Sequence, residues 1–272
     1  MHNVLRTVNG LDNINTFDLS NAVLIKRNNN YYINITAYKN KLNTETNQIL
    51  SFDLGIKNQL TLSSGLQLKY SIEKTKKEKR IQRILSKKVK GSNNYRKLKV
   101  KLNKEHDKTK NRRTDTRNKI VHYLTSNYNI IITQNDSISG WQRIFGKRIE
   151  STDIGGIIEA LKHKASTLIL LYRFIPTTKE CSKCHNKYDI KLNERIYKCS
   201  KCGLISDRDY NSTLNDIYYG TKTHKFKKLK VPVEYREFKP DRDNASTLKG
   251  FNVSPYVSAS FVSETGSLNV LT

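Results

Sequence analysis

The chain has 272 residues, 50 Lys and Arg against 24 Asp and Glu, and an apolar share of 36%. That length suits one domain of about 200 residues with additions, or two smaller ones, and a formal charge of +26 calls for a polyanionic partner, nucleic acid first. No apolar run approaches the roughly 20 residues that span a bilayer and the N-terminus lacks an apolar signal core, so the composition argues against a membrane protein and for a cytosolic one.

Residues 1–30 are polar and Asn-rich with little periodicity, after which YYINITAYKN alternates as a strand does. Beyond a short Asn-Thr-Glu-Thr-Asn loop, ILSFDLGIKNQLTLSSG reads as a hairpin. Its first strand carries Asp53, its turn uses Gly55 and Asn58, and LTLSSG returns. A carboxylate inside ILSFDLGI has no local capping role, which makes Asp53 a candidate functional residue.

From Lys74 to Lys119 there are 20 Lys or Arg against four acids, and Ile81, Ile84, Leu85, Val89, Leu98 and Leu102 recur at helical spacing. KGSNN at 90–94 divides the run into two amphipathic helices folded as a hairpin, each with a narrow apolar stripe and a broad basic face. A solvated helix pair is the plain alternative. Charges of one sign repel unless phosphates lie between them, so Lys87, Lys88, Arg96, Lys97, Lys99, Lys101, Arg112 and Arg113 are the candidate nucleic-acid contacts.

YNIIITQNDSISGWQ contains a short apolar run of the kind buried on both faces, ending near Asp136. A helical pattern follows through IIEALKHKAS, and TLILLYRFIP is a second buried strand that Pro176 stops. Strand, helix and strand in succession predict a mixed α/β layer, here with a zinc ribbon after it. All four cysteines, Cys181, Cys184, Cys199 and Cys202, form two CxxC pairs, and in a reducing compartment they read as one tetrahedral Zn²⁺ site rather than two disulfides. DRDYNSTLNDIYYG is predicted as a helix with Asp207 and Asp209 in its first turn and Gly220 at its end. From 221 the chain is basic and then rich in Ser, Thr, Val and Asn, the composition of a disordered tail.

Asp53, Asp136 and Asp209 thus stand at the ends of three regular elements. Phosphodiester cleavage by paired Mg²⁺ ions needs such a set, because hard cations take oxygen ligands and two of them stabilise both the attacking and the leaving oxygen. Each acid also has a local reading: Asp209 as a helix cap, Asp136 as a turn residue bonding its own backbone.

SFDLGIKNQLTLSSG, ILSKKVKGSNNYRKLKVKL, RFIPTTKECSKC and YKCSKCGLISDRDYNSTLNDI, taken together and in that order over about residues 48–218, resemble the successive motifs of the TnpB family, transposon-encoded RNA-guided nucleases related to type V CRISPR effectors. The resemblance implies an α/β fold: an RNase H-like RuvC core with a mixed sheet (48–176), a basic helical-hairpin insertion (73–127), a zinc ribbon (177–205) and the third catalytic motif (206–220). It further implies DNA and a guide RNA as partners, structural Zn²⁺ and catalytic Mg²⁺ as cofactors, and Asp53 and Asp209 as the first and third catalytic acids. Where most of the family has Glu-Asp-Leu, this chain has Gln134, Asn135 and Asp136. QNDSISGW is similar to a subgroup with Gln-Asp-Glu-Asn before Gly-Trp, with Asp136 in the glutamate's place. Residues 1–47 are similar to the last strands of the family's wedge region, so an N-terminally short member is expected, and a nuclease-dead DNA-binding protein or transposon remnant is the alternative to an endonuclease.

Overall fold

The computed structural model describes residues 18–27, 30–38, 48–191, 193–223, 252–255 and 260–261. The expected Asn-Thr-Glu-Thr-Asn loop, the start of the chain and most of the tail lie outside these residues. The chain divides into two compact units.

The smaller unit holds residues 1–44 and 75–108. Its hairpin pairs β1 (Asp18–Arg27) with β2 (Asn30–Tyr38) antiparallel. β2 follows the alternating pattern of YYINITAYKN. β1 falls in the stretch expected to be irregular; the short run Ala22-Val23-Leu24-Ile25 is extended because it pairs with β2, a long-range cause that local periodicity does not register. Helix α1 (Lys76–Ser86) starts at Thr75, whose hydroxyl accepts from the Glu78 amide at 3.0 Å. Ile81 is its buried apolar residue, while Ile84 is more than a third exposed. The expected second helix is α2 (Asn93–Asn127). Within this unit Glu105 of α2 binds Lys77 of α1 at 3.0 Å and Lys108 at 3.1 Å, closing the predicted hairpin.

The larger unit holds residues 45–74 and 109–272. Its main sheet has the order β10-β5-β4-β3-β6-β7. Strands β3 (Ile49–Leu54), β4 (Leu60–Leu62) and β5 (Leu66–Lys69) form an antiparallel meander, and β6 (Ile130–Gln134) and β7 (Thr167–Leu171) extend it in parallel from β3. Gly55 is required at the first turn, because a Cβ there would lie 2.3 Å from the Asn58 carbonyl oxygen. Alternation along β3 separates two faces. Leu50, Phe52 and Leu54 join Ile120, Leu124, Ile154 and Ile157 in one core, covered by the end of α2 and by α5 (Ile154–Lys164). Ile49 packs with Ile130, Ile132, Ile169 and Tyr219 on the other side, under α6 (Arg208–Thr223). Between β6 and α5 lie two short helices, α3 (Ile138–Phe145) and α4 (Lys147–Glu150), that the polar run NDSISG concealed.

Three expectations are corrected here. The strand in TLILLYRFIP ends at Leu171, five residues before Pro176, because the register with β6 runs out at Gln134. Gly220 does not end its helix; α6 runs on to Thr223. The tail contributes β10 (Asn252–Pro255), paired with β5, and β11 (Ser260–Phe261), paired with β9 (Leu204–Asp207), each covering the open backbone groups of an edge strand.

Gly220 lies inside α6 because the helix lies flush on the sheet: a Cβ there would meet Ile132 Cδ1 at 2.8 Å and Cγ2 at 3.0 Å. Gly220→Ala gains about 1 kcal/mol of helix propensity but overpacks the contact by about 1–3 kcal/mol. We expect a lower thermal midpoint, restored when Ile132→Val removes the nearest clashing methyl. A midpoint raised by Gly220→Ala alone would mean that α6 stands off β6.

Candidate metal centre

Residues 49, 51 and 53 of β3 share the face covered by α6, so Asp53 lies on the side of the sheet that faces this helix. The Asp53 carboxyl is raised well above the usual carboxylate range, first by burial and then by the charges of Asp209 and Asp136, with Arg208 opposing. Asp136 and Asp209, from two distant segments, thus both lie within electrostatic reach of Asp53. They stand apart as like charges do: among the described residues no three carboxylates close to within 4.8 Å. Burial also raises the Asp136 carboxyl, and Arg173 lowers it.

The two acids before α6 divide the work. Asp207 Oδ1 accepts from the amides of Asp209 at 2.7 Å and Tyr210 at 3.1 Å, which makes it the helix cap. Asp209 is thereby freed from capping and instead receives Arg195 Nη1 at 3.0 Å and Arg208 Nη2 at 3.2 Å.

Gln134 is engaged with the segment after β7. Its amide donates to the Ile175 carbonyl at 3.1 Å and the Thr177 hydroxyl at 2.8 Å, so it ties the end of β6 to the segment leaving β7. Asp136, two residues on, is the group whose charge Asp53 feels. Beside the end of β7, Tyr172 and Phe174 are exposed and meet edge to face with centroids 5.2 Å apart, with the Arg173 guanidinium 4.5 Å from the Phe174 ring.

The cysteines form the ribbon's centre, with β8 (Ile196–Lys198) and β9 behind it. Cys181 and Cys202 sulfurs lie 3.5 Å apart, as do those of Cys184 and Cys199, and all four fall within 4.8 Å of one another. A tetrahedral Zn²⁺ with bonds of about 2.3 Å sets its sulfurs about 3.8 Å apart, so the set fits that ion. Burial raises the Cys199 thiol, but the amides of Cys202 and Lys201 and the neighbouring Cys184 more than offset it, lowering it to about 7. Both knuckles close alike: His185 N–H donates to the Cys181 carbonyl at 2.9 Å and Gly203 N–H to that of Cys199 at 3.0 Å. Both residues adopt positive φ, 55° and 71°. Glycine takes that conformation freely; His185 is held there by its Nδ1 contact to Glu180 at 2.9 Å and by stacking on Tyr218 with centroids 4.0 Å apart.

The contiguity of ribbon and acids in sequence now has a physical form. Asn215 Nδ2 donates to the carbonyls of Thr177 at 2.8 Å and Glu180 at 2.6 Å, Asn211 Nδ2 donates to Glu180 at 2.7 Å, and Asn211 Oδ1 accepts from the Ser182 amide at 2.9 Å. The buried Glu180 carboxylate also receives the Tyr219 hydroxyl at 2.5 Å, which raises that phenol to about 12. These bonds fix α6, and so Asp209, to the first knuckle. Sequence reasoning passed over Glu180, Asn211 and Asn215; two asparagines four apart on one helix face were the available signal.

Lys87, Lys88, Arg96, Lys97, Lys99 and Lys101 are exposed on the helical hairpin. Arg112 and Arg113 are engaged elsewhere: Arg112 donates to the Glu73 carbonyl at 3.0 Å and Arg113 pairs with Glu150 at 3.3 Å.

Two family models match the chain in succession: OrfB_IS605, "Probable transposase", over residues 33–134, and "Cas12f1-like, TNB domain" over residues 156–215. A Streptomyces pristinaespiralis protein described as "Putative RNA-guided DNA endonuclease" is 25% identical over 185 residues, 64% of this chain and 46% of that one. "TnpB-like protein L79" of Acanthamoeba polyphaga mimivirus is 28% identical over 151 residues, 48% of this chain and 27% of that one. The chain therefore spans less than half the length of these curated relatives. Among solved structures, "Cryo-EM structure of the Cas12f1-sgRNA-target DNA complex" aligns over 71% of this chain and 54% of that one, with a TM-score of 0.36 and 18% identity. One family model covers the hairpin that carries Asp53 together with the basic helices, the other covers the cysteine ribbon and the start of the helix that carries Asp209, and by these matches the chain is similar to TnpB-like proteins.

Proposed function

We propose that the protein is a transposon-associated, RNA-guided DNA endonuclease whose RuvC-type centre uses Asp53, Asp136 and Asp209. The observation that supports this reading is that the charges of Asp136 and Asp209, from two distant segments, both act on the carboxyl of Asp53, each acid standing in a stretch that resembles a motif of the family. The donor type suits Mg²⁺: carboxylates whose charges act on one another where Asp53 is buried would be stabilised by a hard cation between them. Bound there, paired cations supply charge stabilisation for the attacking and leaving oxygens of the phosphodiester. Water attack on phosphorus breaks one P–O ester bond, leaving a phosphate on one DNA end and a hydroxyl on the other. Asp53, Asp136 and Asp209 hold the charge of the site, Gln134 fixes the strand end that aims Asp136, and Arg173 and Arg195 stand near the acids as anion partners for a DNA backbone. Exposed Tyr172 and Phe174 offer ring faces for unpaired bases, a sequence-tolerant contact worth about 1–3 kcal/mol per base. The helical hairpin supplies phosphate contacts for guide or target, and the cysteines hold one structural Zn²⁺.

The reading is tested on labelled target DNA with co-purified guide RNA. Wild type should cut in Mg²⁺ or Mn²⁺ and not in chelator; Asp53→Ala and Asp209→Ala should abolish cutting. Asp136→Ala should do the same, and Asp136→Glu should preserve or raise the rate, since a carboxylate misplaced by about 1 Å costs on the order of a hundredfold. Cutting that survives Asp53→Ala, or a wild type that binds target without cutting in any divalent cation, would overturn the nuclease assignment.

One Zn²⁺ per chain is expected by metal analysis. Its removal, or Cys199→Ser, should raise amide exchange first in residues 178–205 and at the start of α6, because structural zinc sites contribute folding energy directly. Less than about half an equivalent in freshly purified protein, with all four thiols reactive, would contradict the site.

Nucleic-acid affinity should fall roughly a thousandfold between low and moderately high salt as counterions are released. Charge reversal at Arg96, Lys97, Lys99 and Lys101 should flatten that slope, whereas reversal at Arg112 and Arg113 should act mainly on stability. Unchanged binding after the first set would make the hairpin a solvated face.

A further inference from the structure

The carboxyl ends of three neighbouring parallel strands meet at one edge of the main sheet, since β3 pairs with β6 and β6 with β7, all running the same way. Asp53 stands near the end of the first and Asp136 two residues past the second. The third is followed at once by Tyr172, Arg173 and Phe174, about 10 Å from β3 at the usual spacing of adjacent strands. This edge is where open α/β sheets bind their ligands.

Tyr172 and Phe174 are 68% and 64% exposed, although paired aromatic rings are ordinarily buried. Their exposure is not that of a loose loop. The Ile175 amide donates back to the Tyr172 carbonyl at 3.0 Å, and the Asn135 amide donates to the Leu171 carbonyl at 2.9 Å. Ile175 packs inward with Ile130, Ile132 and Ile169. Gln134 supplies a further brace through its side-chain amide, which donates to the Ile175 carbonyl at 3.1 Å and the Thr177 hydroxyl at 2.8 Å. That hydroxyl, on a fully buried residue, also meets the Ser212 hydroxyl of α6 at 2.8 Å. The turn is thus held from β6 and α6 while its rings face water. The rings meet edge to face with centroids 5.2 Å apart, and the Arg173 guanidinium lies 4.5 Å from the Phe174 ring. Aromatic faces with a cation beside them match a nucleotide, whose base stacks and whose phosphate pairs with the charge. In a duplex the base faces are already stacked on one another, so such a surface suits an unpaired strand.

We propose that Tyr172, Arg173 and Phe174 form a prebuilt stacking platform that selects an unpaired DNA strand over a duplex and leads it to the acids, with Gln134 as the positioning residue that holds the platform. The proposal rests on the reading of the protein as a nuclease acting on DNA. The brace contributes preorganisation: a turn already ordered loses little entropy when a base stacks on it. A carboxylate at position 134 could not donate to the Ile175 carbonyl and would set a negative charge against it.

The test measures binding of a labelled oligodeoxythymidine strand and of a labelled DNA duplex to the full, zinc-loaded chain without added divalent cation, so that cutting plays no part. Tyr172→Ala and Phe174→Ala should each weaken the single strand by roughly fivefold or more and leave the duplex within about twofold. The salt dependence should keep its slope, because no phosphate contact is lost. Tyr172→Phe, which keeps the ring, should bind as wild type does. A fluorescent purine analogue placed in the strand should be quenched by stacking on wild type and stay bright on the double variant Tyr172→Ala/Phe174→Ala. Gln134→Leu, neutral but without the amide protons, should show the same selective loss of single-strand affinity. Undiminished strand binding and quenching in the double variant, or equal losses for strand and duplex, would overturn the platform. Strand binding that Gln134→Leu leaves intact while the ring variants lose it would overturn the role of Gln134. A wild type that shows the selectivity yet never cuts target DNA would overturn the nuclease reading alone, and one that binds neither probe would overturn both.

Discussion

The close seating of α6 on β3 and β6 is the constraint on which the rest of the larger unit depends. Only a helix lying flush on the sheet brings Asp209 and Asp216 over a strand that carries Asp53. The absence of a side chain at Gly220, against Ile132, permits that distance. Carboxylates do not gather of their own accord: their mutual repulsion and burial oppose the seating. What opposes the repulsion is a set of bonds with no charge to lose. Asn211 and Asn215 donate to the carbonyls of Thr177 and Glu180, and Tyr219 of the helix packs with Ile49, Ile130 and Ile132 of the sheet.

The same contacts make the ribbon part of the centre's scaffold. Glu180 sits one residue before the first zinc-type cysteine, and it is gripped both by the knuckle through His185 and by the helix through Tyr219, Asn211 and Asn215. A metal that organises the cysteines therefore also stiffens the support of Asp209. His185 bears the cost of a positive φ that glycine takes at the equivalent place in the second knuckle, and its pairing with Glu180 explains why a histidine stands there. On the proposed reading, a metal at the cysteines and one at the acids would be coupled through this short path of buried hydrogen bonds, without any shared ligand.

Much of this was legible in the sequence where the signal is local. The CxxC spacing gave the ribbon, the one-signed helical run gave the basic hairpin, and an aspartate inside ILSFDLGI stood out because nothing nearby needs it. What was not legible depends on partners far along the chain. β1 is extended through pairing with β2 despite its polar composition, and the tail strands β10 and β11 follow from open sheet edges at β5 and β9. Gly220 looked like a helix stop, the commonest use of a late glycine, and proved to be a packing site. Asp216 repeats the position of Asp209 after two turns, a pattern visible in DRDYNSTLNDI, but its burial against Ser51 depends on a strand far along the chain.

The account makes the acidic cleft, rather than the ribbon or the basic hairpin, the place where divalent cations act. Anomalous diffraction from crystals of the full chain grown with Mn²⁺, measured at the manganese and zinc edges, tests this most directly. The account predicts zinc signal at the four cysteines and manganese signal bounded by Asp53, Asp136 and Asp209. Zinc signal at the cysteines with no manganese density against Asp53 would contradict it.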